Sequence, residues 1–146
     1  MTSDQVLLVR SSWAAIPARG DELSGRFYDH LFAIDPSAAR LFAHVDMTAQ
    51  RAKLVQTLGV IVHALDDIDS LLPAAAALGK RHTHYGVEHR HFESVEEALL
   101  RAFSDTLGAD FTPELRAAWA EAYAFIASVM KRALIRSAEK AHVVAS

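Results

Sequence analysis

The sequence contains no cysteine. This absence excludes disulfide bonds, thiolate nucleophiles, iron–sulfur clusters and cysteine-ligated zinc sites. It is also compatible with a reducing compartment, and we expect a cytoplasmic protein.

Basic charge and long apolar runs are lacking as well. The formal net charge is −3 and no basic stripe stands out, so there is no electrostatic case for a nucleic-acid partner. The first residues, MTSDQ, lack the basic and apolar regions of a signal peptide. No apolar run approaches the ~18–20 residues needed to span a bilayer. The nearest candidate, 54–65, is interrupted by Gln56 and His63. We therefore expect a soluble protein with no membrane span.

Apolar residues recur at helical spacing along almost the whole chain, which predicts an all-α fold. With 146 residues, of which 51% are apolar, the sequence fits one domain with a substantial core. Helices are predicted over about 3–16, 20–34, 36–41, 48–65, 73–84, 92–107 and 113–136. Helix-start signals occur at Asp35-Pro36, Pro73, Ser94 with Glu97, and Thr112-Pro113. Gly86 marks the end of the fifth helix, and residues 137–146 are expected to form a frayed tail.

Four of the eight histidines lie within ten residues, at His82, His84, His89 and His91. Histidine is the commonest neutral metal ligand, so this cluster has three interpretations: a multi-histidine metal site, one ligand among bystanders, or a solvated loop. A zinc or copper site built from the last three histidines lacks a carboxylate-framed motif. His82 falls one helical turn after Leu78, on the same face. It is either a core histidine bonded to a backbone carbonyl or a ligand.

Three other residues stand out by their type and position. Tyr28 and Gln50 are polar residues on helix faces that are otherwise apolar, and Phe42 closes the short helix after Pro36. Taken singly, each has an ordinary explanation, at a core edge, on the surface or in packing.

Taken together, these residues are part of a pattern by which the sequence resembles the globin family over about residues 3–134. The resemblance is closest to single-domain bacterial haemoglobins and to the globin domain of flavohaemoglobins, and it extends to neuroglobins. The matching pieces, in order, are Trp13, Phe27-Tyr28, Asp35-Pro36, Leu41-Phe42, QRAKL at 50–54, LGKRH at 78–82, Gly86-Val87, Ala118-Trp119 and Tyr123. The resemblance implies one globin domain over 1–136, with helices packed three over three around haem b (iron protoporphyrin IX).

The resemblance also implies roles for individual residues. His82 would be the proximal ligand of the iron, while His84, His89 and His91 would be neighbours near a haem edge that are not needed for ligation. Tyr28, Gln50 and Leu54 would form the distal pocket, with the first two as hydrogen-bond donors to bound O2. Lys53 is either placed to reach a haem propionate or is a solvated lysine. The remaining pocket residues would be Phe42, Leu78, Val87 and Phe92.

Two departures from the flavohaemoglobin pattern bear on function. Phe92 and Leu134 stand where that family has a tyrosine and a glutamate near the proximal histidine, so His82 should be a more neutral, globin-like ligand. We also expect no reductase domain after the globin. We therefore expect an O2-binding protein for binding, storage or delivery that also binds NO and CO. The alternative is a nitric oxide dioxygenase that needs an external reductase. A gas or redox sensor is the weakest alternative, since no output domain follows.

Overall fold

The computed structural model describes the backbone of residues 1–84 and 87–145, and the side chains of these residues except 83–84 and 133–145. Within these residues the chain forms seven α-helices, two short 3-10 turns and no strand, so the predicted all-α class is confirmed. The helices are α1 Ser3–Trp13, α2 Gly20–Ile34, α3 Pro36–Arg40, α4 Met47–Ala64, α5 Ile68–His84, α6 His89–Leu107 and α7 Pro113–Ala145. No helix in the described part is long and apolar enough to cross a membrane. The predicted helix end at Gly86 lies outside the described residues.

Side-chain caps begin several of these helices and confirm the start signals at Asp35 and Thr112. The Asp35 carboxylate accepts a hydrogen bond from the Ser37 amide at 3.1 Å, and Thr112 Oγ1 accepts one from the Leu115 amide at 3.2 Å. Asp46 begins α4 in the same way, through the Thr48 amide. Each cap satisfies a backbone donor that the first helical turn leaves without a partner.

The predicted start of α5 at Pro73 is wrong, because the helix begins at Ile68 and continues through the proline. Asp67 caps it by accepting a hydrogen bond from the Ser70 amide at 3.4 Å, and it also accepts one from the Ser70 hydroxyl at 2.7 Å. Proline removes one backbone hydrogen bond from the second turn. Leu71 and Ala75 are almost fully buried in a cluster with residues of α7, and this burial outweighs the lost bond.

The start of α6 also differs from the prediction. The helix begins at His89 rather than near 92, and the Ser94–Glu97 capping box is wrong because Ser94 lies inside the helix. Its hydroxyl donates to Asp35 Oδ2 at 3.3 Å instead. The backbone of α7 is helical to Ala145, beyond the predicted end near 136.

An aromatic core holds α1, α6 and α7 together. The rings of Phe103 and Trp119 stack with centroids 4.2 Å apart, and Trp13 lies 6.1 Å from Trp119. The indole Nε1 of Trp119 donates to Ser12 Oγ at 2.9 Å, which satisfies the one polar atom of that buried ring. α2 packs along α6, and α5 packs along α7. This framework fixes the positions of the helices that carry the candidate site residues.

Arg10 joins α1 to the end of α4. Its guanidinium donates to both carboxylate oxygens of Asp66, at 2.7 and 2.9 Å, and to the His63 carbonyl at 2.8 Å. Cations near a helix C-terminus interact favourably with the exposed carbonyls. The hydrogen bond from Arg10 lowers the pKa of Asp66.

Replacing Asp66 by Asn should lower the unfolding temperature near neutral pH, and the difference from the wild type should vanish in acid. The folded-state pKa of Asp66 lies below the ordinary 3.8. The ionised carboxylate of Asp66 therefore stabilises the folded state fully above the ordinary pKa. This stabilisation is lost as the pH falls through the folded-state pKa. The change should be small, because Asp66 and Arg10 are both partly exposed. Thermal unfolding followed by circular dichroism across the acid range measures it.

Asp29→Asn is the matched control, since Asp29 is exposed on α2 and belongs to none of the ion pairs found among the described side chains. Its unfolding temperature should follow the wild type at every pH. An Asp66→Asn difference that persists at the acid end would contradict the assignment.

Candidate functional site

Tyr28 and Gln50 meet between α2 and α4. Tyr28 is buried on α2, and the Nε2 of the half-buried Gln50 donates to its hydroxyl oxygen at 3.1 Å. An amide nitrogen can only donate, so Tyr28 Oη is the acceptor here. The bond from Gln50 leaves the Tyr28 hydroxyl proton available for another acceptor. The two polar residues predicted for one pocket thus lie side by side.

Aromatic rings surround this polar pair. The ring of Tyr28 lies 4.9 Å from Phe27, 5.8 Å from Phe32 and 5.4 Å from Phe42, measured between centroids. Burial raises the pKa of Tyr28, and the hydrogen bond from Gln50 opposes part of that rise. The phenol therefore remains protonated at neutral pH and can act as a hydrogen-bond donor.

Aliphatic residues extend the same wall along α4. Leu54 and Leu58 lie one and two turns after Gln50 and pack against the core cluster that contains Tyr28. Lys53 lies on the exposed side of the helix. A contact between Lys53 and a haem propionate stays a prediction.

His82 lies near the end of α5, and its Nδ1 donates to the carbonyl oxygen of Leu78 at 2.7 Å. A neutral imidazole with its proton on Nδ1 carries its lone pair on Nε2. Burial lowers the pKa of His82, outweighing the Leu78 hydrogen bond, so the ring is neutral near pH 7. Neutral imidazole is the form that binds metals, and a backbone carbonyl on the other nitrogen is the usual support for such a ligand. The donor chemistry therefore fits a haem iron at Nε2.

Apolar residues around His82 form a second cluster. Leu78 and Val87 pack against its buried members, which are Leu71, Ala75, Phe92, Ile126, Ala127 and Met130. The cluster joins α5, the first turn of α6 and α7. The structure thus brings together three of the apolar residues predicted for the pocket, Leu78, Val87 and Phe92.

Tyr123 is a residue of this region whose contact the sequence did not reveal. Its hydroxyl donates to the backbone carbonyl of Phe92, and burial raises its pKa, so it stays a neutral donor. Tyr123 also packs against both core clusters. An aromatic residue with a polar tip on an otherwise apolar helix face was the only available signal.

The neighbouring histidines do not form a metal site in the described part of the chain. His89 is exposed, whereas His91 is buried and its Nδ1 accepts a hydrogen bond from the Glu88 amide at 2.9 Å. Among the described residues no group of three His, Cys, Asp or Glu side chains could hold a metal ion. The side chain of His84 lies outside the described residues. The zinc or copper alternative therefore has no support from the part of the chain that is described.

Comparison with known proteins gives one consistent family. The globin family model matches residues 25–130, which is more than half of the chain. The flavohemoprotein of Bacillus subtilis is 28% identical over 122 residues, covering 82% of this chain and 31% of that protein. The flavohemoprotein of Bacillus thuringiensis is 30% identical over 132 residues, covering 87% of this chain and 32% of that protein. The chain thus spans about a third of the length of the curated relatives it matches.

Proposed function

The chain belongs to the globin family, and we propose that it is a haem-based O2-binding protein that serves oxygen binding, storage or delivery. Family membership supports the coarser statement, that the fold is the globin fold and that the domain binds diatomic gases through haem. The choice of O2 as the ligand is our proposal. The observation that carries it is the hydrogen bond between Gln50 and Tyr28 inside an apolar wall.

The side of the pocket that carries His82 and the side that carries Tyr28 have different roles in this proposal. His82 would hold the iron of haem b through Nε2, with Leu78, Val87 and Phe92 packed around it. When bound, the haem supplies a ferrous iron that takes one diatomic gas molecule. Tyr28 would donate a hydrogen bond to that gas molecule. Gln50 would hold the phenol oxygen and so orient the donor.

The polarity of the ligand decides how much this donor contributes. Bound O2 carries partial negative charge, so a hydrogen bond from Tyr28 stabilises it, and the low dielectric of the surrounding aromatic rings strengthens the interaction. CO is less polarised and should gain less. Leu54 and Leu58 would limit the access of water and of large ligands.

Replacing His82 by Ala should abolish stable haem incorporation, because the iron would lose its protein ligand. Absorption spectra of the purified variant, oxidised and then reduced with dithionite, measure haem content and coordination together. His89→Ala is the matched control, since His89 is exposed nearby and should not be needed. A normal haem spectrum in the His82 variant would overturn the assignment.

Replacing Tyr28 by Phe should raise the O2 dissociation rate by about tenfold or more, the effect of losing one hydrogen bond to a charged acceptor. The CO dissociation rate should change much less. Gln50→Leu should give a smaller rise for O2, because the donor stays but loses its support. Stopped-flow ligand replacement measures all three rates. An unchanged O2 rate in Tyr28→Phe would remove Tyr28 from the donor role.

The same polar pair also suits nitric oxide dioxygenase activity, in which NO, O2 and one electron give nitrate. The electron would have to come from an external reductase. NO consumption should be measured with a flavin reductase and NADH, against myoglobin at equal haem concentration. We expect a rate no faster than that of myoglobin. A much faster rate would replace the O2-binding proposal with the enzyme.

A further inference from the structure

His91 is buried in the first turn of α6, with 4% of its surface exposed. Its Nδ1 accepts a hydrogen bond from the backbone amide of Glu88 at 2.9 Å. A backbone amide can only donate, so Nδ1 carries the lone pair, and the ring proton of the neutral side chain lies on Nε2. This cap therefore fixes the tautomer of His91 as well as the start of the helix.

The Nε2 atom of His91 faces Asp35 across the gap between α6 and α3. It is buried, makes no hydrogen bond within the described part of the chain, and lies 4.0 Å from Asp35 Oδ2. The Ser37 hydroxyl, its backbone amide and the Ser94 hydroxyl donate to Asp35, and these contacts lower the pKa of Asp35. The N···O distance of 4.0 Å between this buried N–H group and the carboxylate is thus about 1 Å longer than a typical hydrogen bond.

The two residues lie at the starts of α3 and α6, which lead to different sides of the candidate pocket. Asp35 begins the short helix α3, which leads to Phe42 beside Tyr28. His91 precedes Phe92, which lies in the cluster around Leu78. Tyr123 already holds the first turn of α6 from the side of α7, through the Phe92 carbonyl. A contact between His91 and Asp35 would hold the same turn from the other side.

We propose that His91 and Asp35 are a positioning pair for the pocket, in which His91 Nε2–H donates to Asp35 Oδ2 in the haem-loaded protein. The bond fixes the first turn of α6 against α3 and keeps Phe92 in place beside the helix that carries His82. Closing it removes the cost of a buried donor without a partner. This inference rests on the proposed haem function, although neither residue contacts the iron in the proposal.

The N-cap role of His91 can be separated from its donor role by two substitutions. In His91→Gln, Oε1 can accept from the Glu88 amide, as glutamine does in a capping box, while the amide nitrogen can donate to Asp35. In His91→Glu, the carboxylate keeps the N-cap contact but replaces the donor with a negative charge facing Asp35. The double variant His91→Glu with Asp35→Asn restores one donor and one acceptor across the gap, since asparagine also caps helices well.

Two measurements read out the positioning role. The first is the rate of haem transfer to apomyoglobin, and the second is the iron–histidine stretching band in the resonance Raman spectrum of the ferrous, ligand-free protein. His91→Glu should lose haem about tenfold faster and shift the band, as expected for one lost hydrogen bond to a charged group. His91→Gln should stay within about twofold of the wild type, and the double variant should recover most of the loss.

Equal behaviour of His91→Glu and His91→Gln in both measurements would overturn the proposal, as would failure of the double variant to recover. If His91→Glu does not fold, nitrogen-15 NMR of the wild type with CO bound still tests the proposed pair. A slowly exchanging Nε2–H proton of His91 that shifts upfield in Asp35→Asn is expected, and its absence would overturn the pair. A wild type that binds no haem would instead refute the proposed function.

Discussion

The hydrogen bond from His82 Nδ1 to the Leu78 carbonyl is the contact on which the candidate site depends. It selects one tautomer of the imidazole and fixes its plane, and burial keeps the ring neutral. The bond joins residues one helical turn apart, so α5 must stay helical past Pro73, and the burial of Leu71 and Ala75 on either side of the proline stabilises the helix there. The chemistry proposed for one nitrogen thus rests on packing several turns earlier in the same helix.

The opposite wall uses the same physical setting differently. Tyr28 and Gln50 are polar groups among aromatic rings, where an unmade hydrogen bond is costly and a made one is strong. Burial that would destabilise a phenolate keeps Tyr28 as a neutral donor. A single low-dielectric interior therefore holds His82 in its lone-pair form on one side and Tyr28 in its proton-donor form on the other.

The sequence was sufficient for the class of fold and for most helices, because apolar periodicity and the caps at Asp35 and Thr112 are local signals. It also singled out Tyr28, Gln50 and His82, since polar side chains on apolar faces are unusual and their order matches a known family. It did not reveal the start of α5, because the burial of the residues around Pro73 outweighs the tendency of this proline to begin or break a helix. It likewise missed the burial of His91, which caps α6 through a Glu-x-x-His arrangement rather than the usual hydroxyl and carboxylate residues.

The identity of residue 92 bears on the proposed function. The flavohaemoglobins that the sequence resembles place a tyrosine there, beside the proximal histidine. Among the described side chains, Tyr123 packs against the cluster that contains Phe92, and its hydroxyl donates to the Phe92 carbonyl, so it does not replace that tyrosine. The Nδ1 of His82 donates to a neutral backbone carbonyl, that of Leu78. An imidazole supported by a backbone carbonyl pushes less electron density onto an iron than one supported by a carboxylate, and this difference is why we propose reversible ligand binding rather than redox turnover.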